Sequence, residues 1–265
     1  MTPLEHEQNL RGRVAIVTGG GRGIGRGIAE TLGSRGAKVV VNYRKDAESA
    51  AETVAAIEAA GSEAIAIAAS MSKIEEADRL AEEALAAFGH VDIVVANAGV
   101  ASRGLAIVDT DPSELGWVMG VHAFSAHRLI AALLPQMRDR SRGDVVVISS
   151  SEVGEHRPNG APYEMAKAAL ESMALTLARE EVENGIRANI VAPGLVWTDM
   201  GSRLVKATLG IDDVAELDAR QPFGRVTRPE DVGKAVAFLV GPDAEMLTGQ
   251  RIVVDGGAPG AAFAD

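Results

Sequence analysis

The chain of 265 residues contains no cysteine. Disulfide scaffolds, thiolate catalysis and cysteine-ligated metals are therefore excluded, and a reducing, cytoplasmic setting is the one expected. Histidine is scarce, at five residues. His6, His90, His127 and His156 form no pair at metal-ligand spacing with acids converging on them, so no catalytic metal is expected. Positive charge is in deficit: 26 Lys and Arg stand against 37 Asp and Glu, for a net charge of −11. With no basic run, nucleic acid is not an expected partner. The sign is also wrong for an anionic membrane surface. No uninterrupted apolar run approaches the ~18 residues of a membrane span. Residues 1–13 carry acids and no apolar core, unlike a secretory signal, and residues 1–9 read as a flexible lead-in.

What is present is alternation. Short β-branched runs at Val14–Val17, Lys38–Val41, Glu63–Ala68, Val91–Ala96, Asp144–Ser149, Ile186–Ala192 and Gln250–Asp255 read as strands. They are almost continuously apolar, as suits parallel strands covered on both faces. Helical stretches lie between them: Gly25–Ser34, Glu48–Ala60, Glu75–Phe88, Pro112–Met137, Pro162–Glu183 and Pro229–Val240. The last opens with Thr227-Arg228-Pro229-Glu230, which reads as a capping box. The expected fold is α/β: a three-layer, doubly wound parallel sheet of about seven strands, the Rossmann fold, as one domain over residues 1–265. Residues 194–225 lack clear pattern and follow a strand at the end where such sheets bind ligands, so they read as a candidate substrate lid.

The first strand runs into Gly19-Gly20-Gly21-Arg22-Gly23-Ile24-Gly25, and a helix follows. Glycines let the backbone approach a pyrophosphate, and the helix N-terminus offers it free N–H groups. The literal G-x-G-x-x-G spacing is absent. At the end of the second strand, a carboxylate would bind the ribose 2′-hydroxyl of NAD. Asn42-Tyr43-Arg44-Lys45 stands there instead. This predicts NADP(H) over NAD(H), with Arg44 and Arg22 on the 2′-phosphate.

These residues, with four later motifs, resemble the classical short-chain dehydrogenase/reductase family. Thr18-Gly19-x-x-x-Gly23-x-Gly25 is similar to its glycine motif. Asn97-Ala98-Gly99 resembles its N-A-G, and Tyr163-Glu164-Met165-Ala166-Lys167 its Y-x-x-x-K. Pro193-Gly194-Leu195-Val196-Trp197-Thr198 resembles P-G-x-x-x-T. The ending, from Pro229-Glu230-Asp231-Val232 to Asp255-Gly256-Gly257, resembles the 3-oxoacyl carrier-protein reductase-like branch. The match spans about residues 10–258. It implies cofactor contacts at Gly19, Ile24, Asn97, Ala98, Gly99, Pro193, Gly194, Val196 and Thr198. Ser70 and Met71 stand where an acid often precedes the adenine contact, a departure from the family pattern.

Tyr163 and Lys167 are four apart on a helix, hence on one face. A free phenol has a pKa of ~10, and a nearby ammonium favours phenolate. The resemblance implies that Tyr163 is the general acid/base and that Lys167 also bonds the nicotinamide ribose. A hydroxyl donor should polarise the substrate oxygen. Counting from Ile148 and from Tyr163 gives Ser150, whereas alignment on Gly154 gives Ser151. His122 stands where the family often has an asparagine whose backbone carbonyl helps place a water leading to the lysine. Histidine keeps that carbonyl, so the relay is expected to survive. The expected reaction interconverts a ketone and a secondary alcohol, possible substrates being of 3-oxoacyl, steroid, sugar or polyketide type. The competing reading is a non-catalytic NADP(H)-sensing module. The resemblance also implies a homotetramer, or a homodimer, through residues 112–137, 162–183 and 250–254.

Overall fold

The computed structural model describes residues 8–258. The lead-in expected at residues 1–9 lies mostly outside the described residues; Gln8 and Asn9 form a turn before the first strand. The strands are β1 (Val14–Val17), β2 (Lys38–Tyr43), β3 (Ala64–Ala68), β4 (Ile93–Ala96), β5 (Gly143–Ile148), β6 (Ile186–Pro193) and β7 (Arg251–Val254). They form one parallel sheet in the order β3-β2-β1-β4-β5-β6-β7. The order reverses between β1 and β4, and ligands in such sheets bind beyond the strand C-termini at that switch.

The helices are α1 (Gly23–Ser34), α2 (Ala47–Ala59), α3 (Ile74–Phe88), α4 (Pro112–Met119), α5 (Ser125–Arg138), α6 (Ala161–Glu180), α7 (Asp199–Leu209) and α8 (Pro229–Val240). Alternate strand residues feed two cores, as the pleat requires. Val14, Ile16 and Val94 pack under α3, α5 and α6. Ala15, Val17, Ile93 and Val95 pack under α1, α2 and α8. Full burial of β1, β4, β5 and β6 explains their unbroken apolar runs.

Two expectations need correction. The helix expected over Pro112–Met137 is interrupted: Gly120–Phe124 forms a π-type turn between α4 and α5. Such turns shift the face a helix presents and recur at functional sites. Residues Pro112–Arg138 are also, among the described residues, the one helical stretch long and apolar enough to cross a membrane, and half of that window is buried within the protein. The cap of α8 falls at Arg228, not Thr227, because Asp231 Oδ2 accepts the Arg228 amide at 2.9 Å. The segment 194–225 is more ordered than its sequence suggests. It holds α7 and a 3₁₀ turn at Val214–Arg220, around a small core of Val205, Val214, Leu217 and Val226.

Candidate active site

Thr18 follows β1 and ties it to β4. Its Oγ1 accepts the amides of Asn97 and Ala98, both at 2.9 Å, and Asn97 Nδ2 donates to the Thr18 carbonyl at 2.8 Å. Gly19 and Gly23 have φ of 65° and 54°, which side chains disfavour. At Gly25, a Cβ would lie 2.1 Å from the Gly19 carbonyl oxygen. α1 then begins with no side-chain cap and no acid in its first turn. Its leading amides and positive dipole end are left for an anion. This cradle fits a dinucleotide pyrophosphate. Ile24 is half-buried against the core beneath α1.

The end of β2 divides its labour. Asn42 is buried: its Oδ1 accepts the Gly19 amide at 3.2 Å, and its Nδ2 donates to the Ala69 carbonyl at 3.0 Å. The side chain thus shapes the glycine turn from within. Tyr43 packs on the core, while Arg44 and Lys45 are exposed. Asp46, the nearest carboxylate along the chain, caps α2 by accepting from Ser49 N at 3.1 Å and Ser49 Oγ at 2.8 Å. These Ser49 hydrogen bonds, with a smaller contribution from the charge of Arg22, hold its carboxyl below the usual range. Ser70 gives its amide to Glu76 Oε2 at 2.6 Å, and Met71 is buried in the core.

The chemistry-bearing side chains meet beyond β5. Lys167 is buried and donates from Nζ to the Ile148 carbonyl at 2.6 Å. Its Nζ lies 5.7 Å from the Tyr163 ring centroid, so helical spacing places the two together as expected. The Ser150 hydroxyl lies close enough to the Tyr163 hydroxyl to favour its ionised form, and Ser150 Oγ accepts the Glu152 amide at 3.3 Å. Ser151 instead ties its amide to the Pro193 carbonyl at 2.8 Å. Burial first, and then the charge of Glu152, push the phenol up to about 12, against the effect of the Ser150 hydroxyl. Burial pulls Lys167 down to about 7, and Glu171 opposes that fall. The phenol therefore rests protonated beside an ammonium that is easily discharged.

His122 sits in the π-type turn, with its ring edge-on to Tyr163 at 5.5 Å between centroids. Its Nε2 meets the Val100 amide at 3.0 Å and the Val100 carbonyl at 2.9 Å; one tautomer satisfies one of them. Nδ1 is buried without a hydrogen-bond partner. Burial, and then the charge of Lys167, lower the imidazole to about 3, so it is neutral at physiological pH. Gly99 makes room for the ring, since a Cβ there would lie 2.6 Å from His122 Cε1.

Pro193 ends β6, Gly194 follows against Asp255, and Val196 is buried. Thr198 caps α7 by accepting the Gly201 amide at 3.1 Å, and it lies against the glycine turn at Gly23. Trp197 is covered by the Arg228 guanidinium at 3.7 Å from its ring centroid, and Arg228 also reaches Asp218 Oδ2 at 3.3 Å. This clasp closes the base of segment 194–225. The sequence alone did not single out Glu171 or Arg251 as site residues. Only Glu171 left a visible signal, one helical turn beyond Lys167.

Residues 19–259 match the family model described as enoyl-(acyl carrier protein) reductase. The chain belongs to the classical short-chain dehydrogenase/reductase family. It is an oxidoreductase. A hydroxynaphthalene reductase-like protein of Metarhizium guizhouense is 37% identical over 96% of this chain and 97% of the relative. A short-chain dehydrogenase of Burkholderia cenocepacia, solved with NADP, superposes with a TM-score of 0.84 at 32% identity, covering 97% of this chain and 100% of the other. A 7α-hydroxysteroid dehydrogenase, solved with NADH and a 7-oxo bile acid, gives a TM-score of 0.87 at 30% identity, covering 97% and 98%. The neighbours themselves divide between the two nicotinamide dinucleotides.

Proposed function

We propose that this protein reduces a ketone to a secondary alcohol with NADPH, and that its substrate is a hydroxylated, fused-ring ketone. The observation that carries the chemistry is the phenol of Tyr163 beside the buried ammonium of Lys167, with the Ser150 hydroxyl near it. Ser150 donates to the substrate oxygen and fixes it near Tyr163. Tyr163 rests protonated and gives its proton to that oxygen as the carbonyl carbon is reduced. The resulting phenolate is stabilised by Lys167, which the Ile148 carbonyl holds in place. Bound nicotinamide supplies the hydride. His122 takes part as a neutral member of the polar chain behind Lys167, its Nε2 anchored to Val100 and its Nδ1 free of protein partners.

The cofactor reading rests on β2. Arg44 and Lys45 are exposed at its end, and Asp46 is engaged as a helix cap. Arg44 and Arg22 receive the 2′-phosphate, and the uncapped start of α1 receives the pyrophosphate. The substrate class rests on the hydroxynaphthalene reductase-like relative. Segment 194–225 acts as the substrate lid. Exposed Trp117, Phe124 and Met165 on the α4–α6 side support self-association; sedimentation as a 27.5 kDa monomer removes that reading.

The test follows NADPH absorbance with hydroxylated naphthalenones, 7-oxo steroids and 3-oxoacyl thioesters. Naphthalenones are expected to turn over fastest. Tyr163→Phe is expected to lose at least about 100-fold in kcat while still binding NADP⁺. Retained activity refutes the proton role. Binding of NADPH without oxidation by any ketone leaves a sensor in place of an enzyme.

A further inference from the structure

Glu171 and Arg251 lie outside the reacting groups yet hold the backbone that carries Ser150. Glu171 is on α6, one turn beyond Lys167, with its side chain 12% exposed. Its Oε1 accepts from Ser149 Oγ at 2.5 Å and from Arg251 Nε at 2.9 Å. Arg251, at the start of edge strand β7, donates from Nη2 to the Ser150 carbonyl at 2.9 Å. The end of β5 is thus gripped at three successive residues. Lys167 takes the Ile148 carbonyl, Glu171 takes the Ser149 hydroxyl, and Arg251 takes the Ser150 carbonyl.

We propose that the Glu171–Arg251 pair is a positioning brace for the reduction, fixing Ser150 against Tyr163 through Ser149 and the Ser150 carbonyl. Ser150 is two residues past β5, between the Ser149 and Ser151 amides that donate to Val191 and Pro193 of β6, and its hydroxyl must point at the same oxygen as Tyr163. A guanidinium reaching two acceptors from its planar fork restrains the chain more tightly than a single contact. Helix α6 carries Tyr163, Lys167 and Glu171 at spacings of four, so the brace references the serine to the helix that carries the phenol. The pair grips Ser149 and the Ser150 carbonyl rather than a reacting group, so its loss is expected to act on catalysis and spare binding. A misplacement of about 1 Å at a reacting group costs on the order of 100-fold.

This inference rests on the proposed reductase chemistry, so its experiment carries a readout independent of turnover. Glu171→Gln and Arg251→Met are each expected to lower kcat about tenfold or more. KM for the ketone and the affinity for NADP⁺ stay within about threefold. The double variant is expected to be no slower than the slower single one, as befits one unit. Arg251→Lys keeps charge and packing but reaches only one acceptor, and shows the same loss. In parallel, the protein is labelled with [ζ-¹³C]tyrosine. It has two tyrosines, and Tyr163→Phe assigns the resonances. The Tyr163 signal moves in each brace variant, and the Tyr43 signal does not. Wild-type kcat in the variants with an unmoved Tyr163 signal overturns the brace while leaving the reductase reading intact, and additive losses in the double variant overturn it equally. If the wild type reduces no ketone, the reductase reading fails by itself, and the Tyr163 signal still decides whether the pair positions the phenol's surroundings.

Discussion

Lys167→Met is expected to make the cofactor-free protein more stable while removing its activity. Methionine nearly matches the length and volume of lysine without the charge. The burial that brings Lys167 from 10.5 to about 7 corresponds to about 5 kcal/mol, at roughly 1.4 kcal/mol per tenfold. That cost falls on the folded state, because the unfolded chain keeps its lysine solvated and protonated. Against it stands the Ile148 carbonyl, which accepts the Lys167 ammonium at 2.6 Å and loses that donor in the variant. A buried acceptor left unpaired costs about 1–3 kcal/mol. The net expectation is a gain of about 2–4 kcal/mol at pH 7. The sign has a pH signature. Between about pH 7 and 10.5 the unfolded chain holds a proton that the native lysine has released, so wild-type stability rises with pH across that window. The gap between variant and wild type is therefore full below pH 7 and closes toward pH 10.5. Urea denaturation of both proteins at several pH values measures it. A variant less stable than wild type by more than about 1 kcal/mol at pH 7, or a gap that does not change with pH, refutes the reasoning. An active site that holds a charge against its own folding free energy accords with a general trade of stability for activity.

The remaining expectations concern single side chains. Ser150→Ala should cost about 100-fold in kcat and Ser151→Ala less than about threefold; the reverse pattern moves the polarising role to Ser151. Arg44→Ala should weaken NADP⁺ binding about 10- to 100-fold, the range of a charge-assisted hydrogen bond, and leave NAD⁺ binding unchanged in titration calorimetry. Tighter binding of NAD⁺ than NADP⁺ by the wild type sinks the cofactor assignment. His122→Ala should slow turnover and alter the pH–rate profile, with His122→Asn retaining most activity. An unchanged profile in His122→Ala removes the imidazole from the mechanism.

The fold was largely legible from the chain because both of its signals are local. Unbroken apolar runs such as Val145-Val146-Val147-Ile148 mark strands buried on both faces, and all lie within the parallel sheet. The glycine turn was legible for a steric reason, since only glycine tolerates the 2.1 Å approach at residue 25. Element ends were less legible: α1 starts two residues earlier than expected, and α8 is capped by Asp231 reaching back to Arg228. The π-type turn at Gly120–Phe124 left no periodic trace, because five residues are too few to reset a hydrophobic pattern.

The sequence by itself determined which side chains could meet along one element. Tyr163, Lys167 and Glu171 share a face because a helix repeats every 3.6 residues, whatever surrounds it. Only the tertiary structure decided what those side chains became. Desolvation at the end of β5 carries Lys167 to about 7 and the phenol to about 12. Packing turns Asn42 and Asn97 inward to lock a turn. Arg251, 101 residues from Ser150 in the chain, arrives to hold its carbonyl. Spacing along one helix follows from the chain's own geometry, whereas desolvation and contacts between distant segments exist only once the layers have closed.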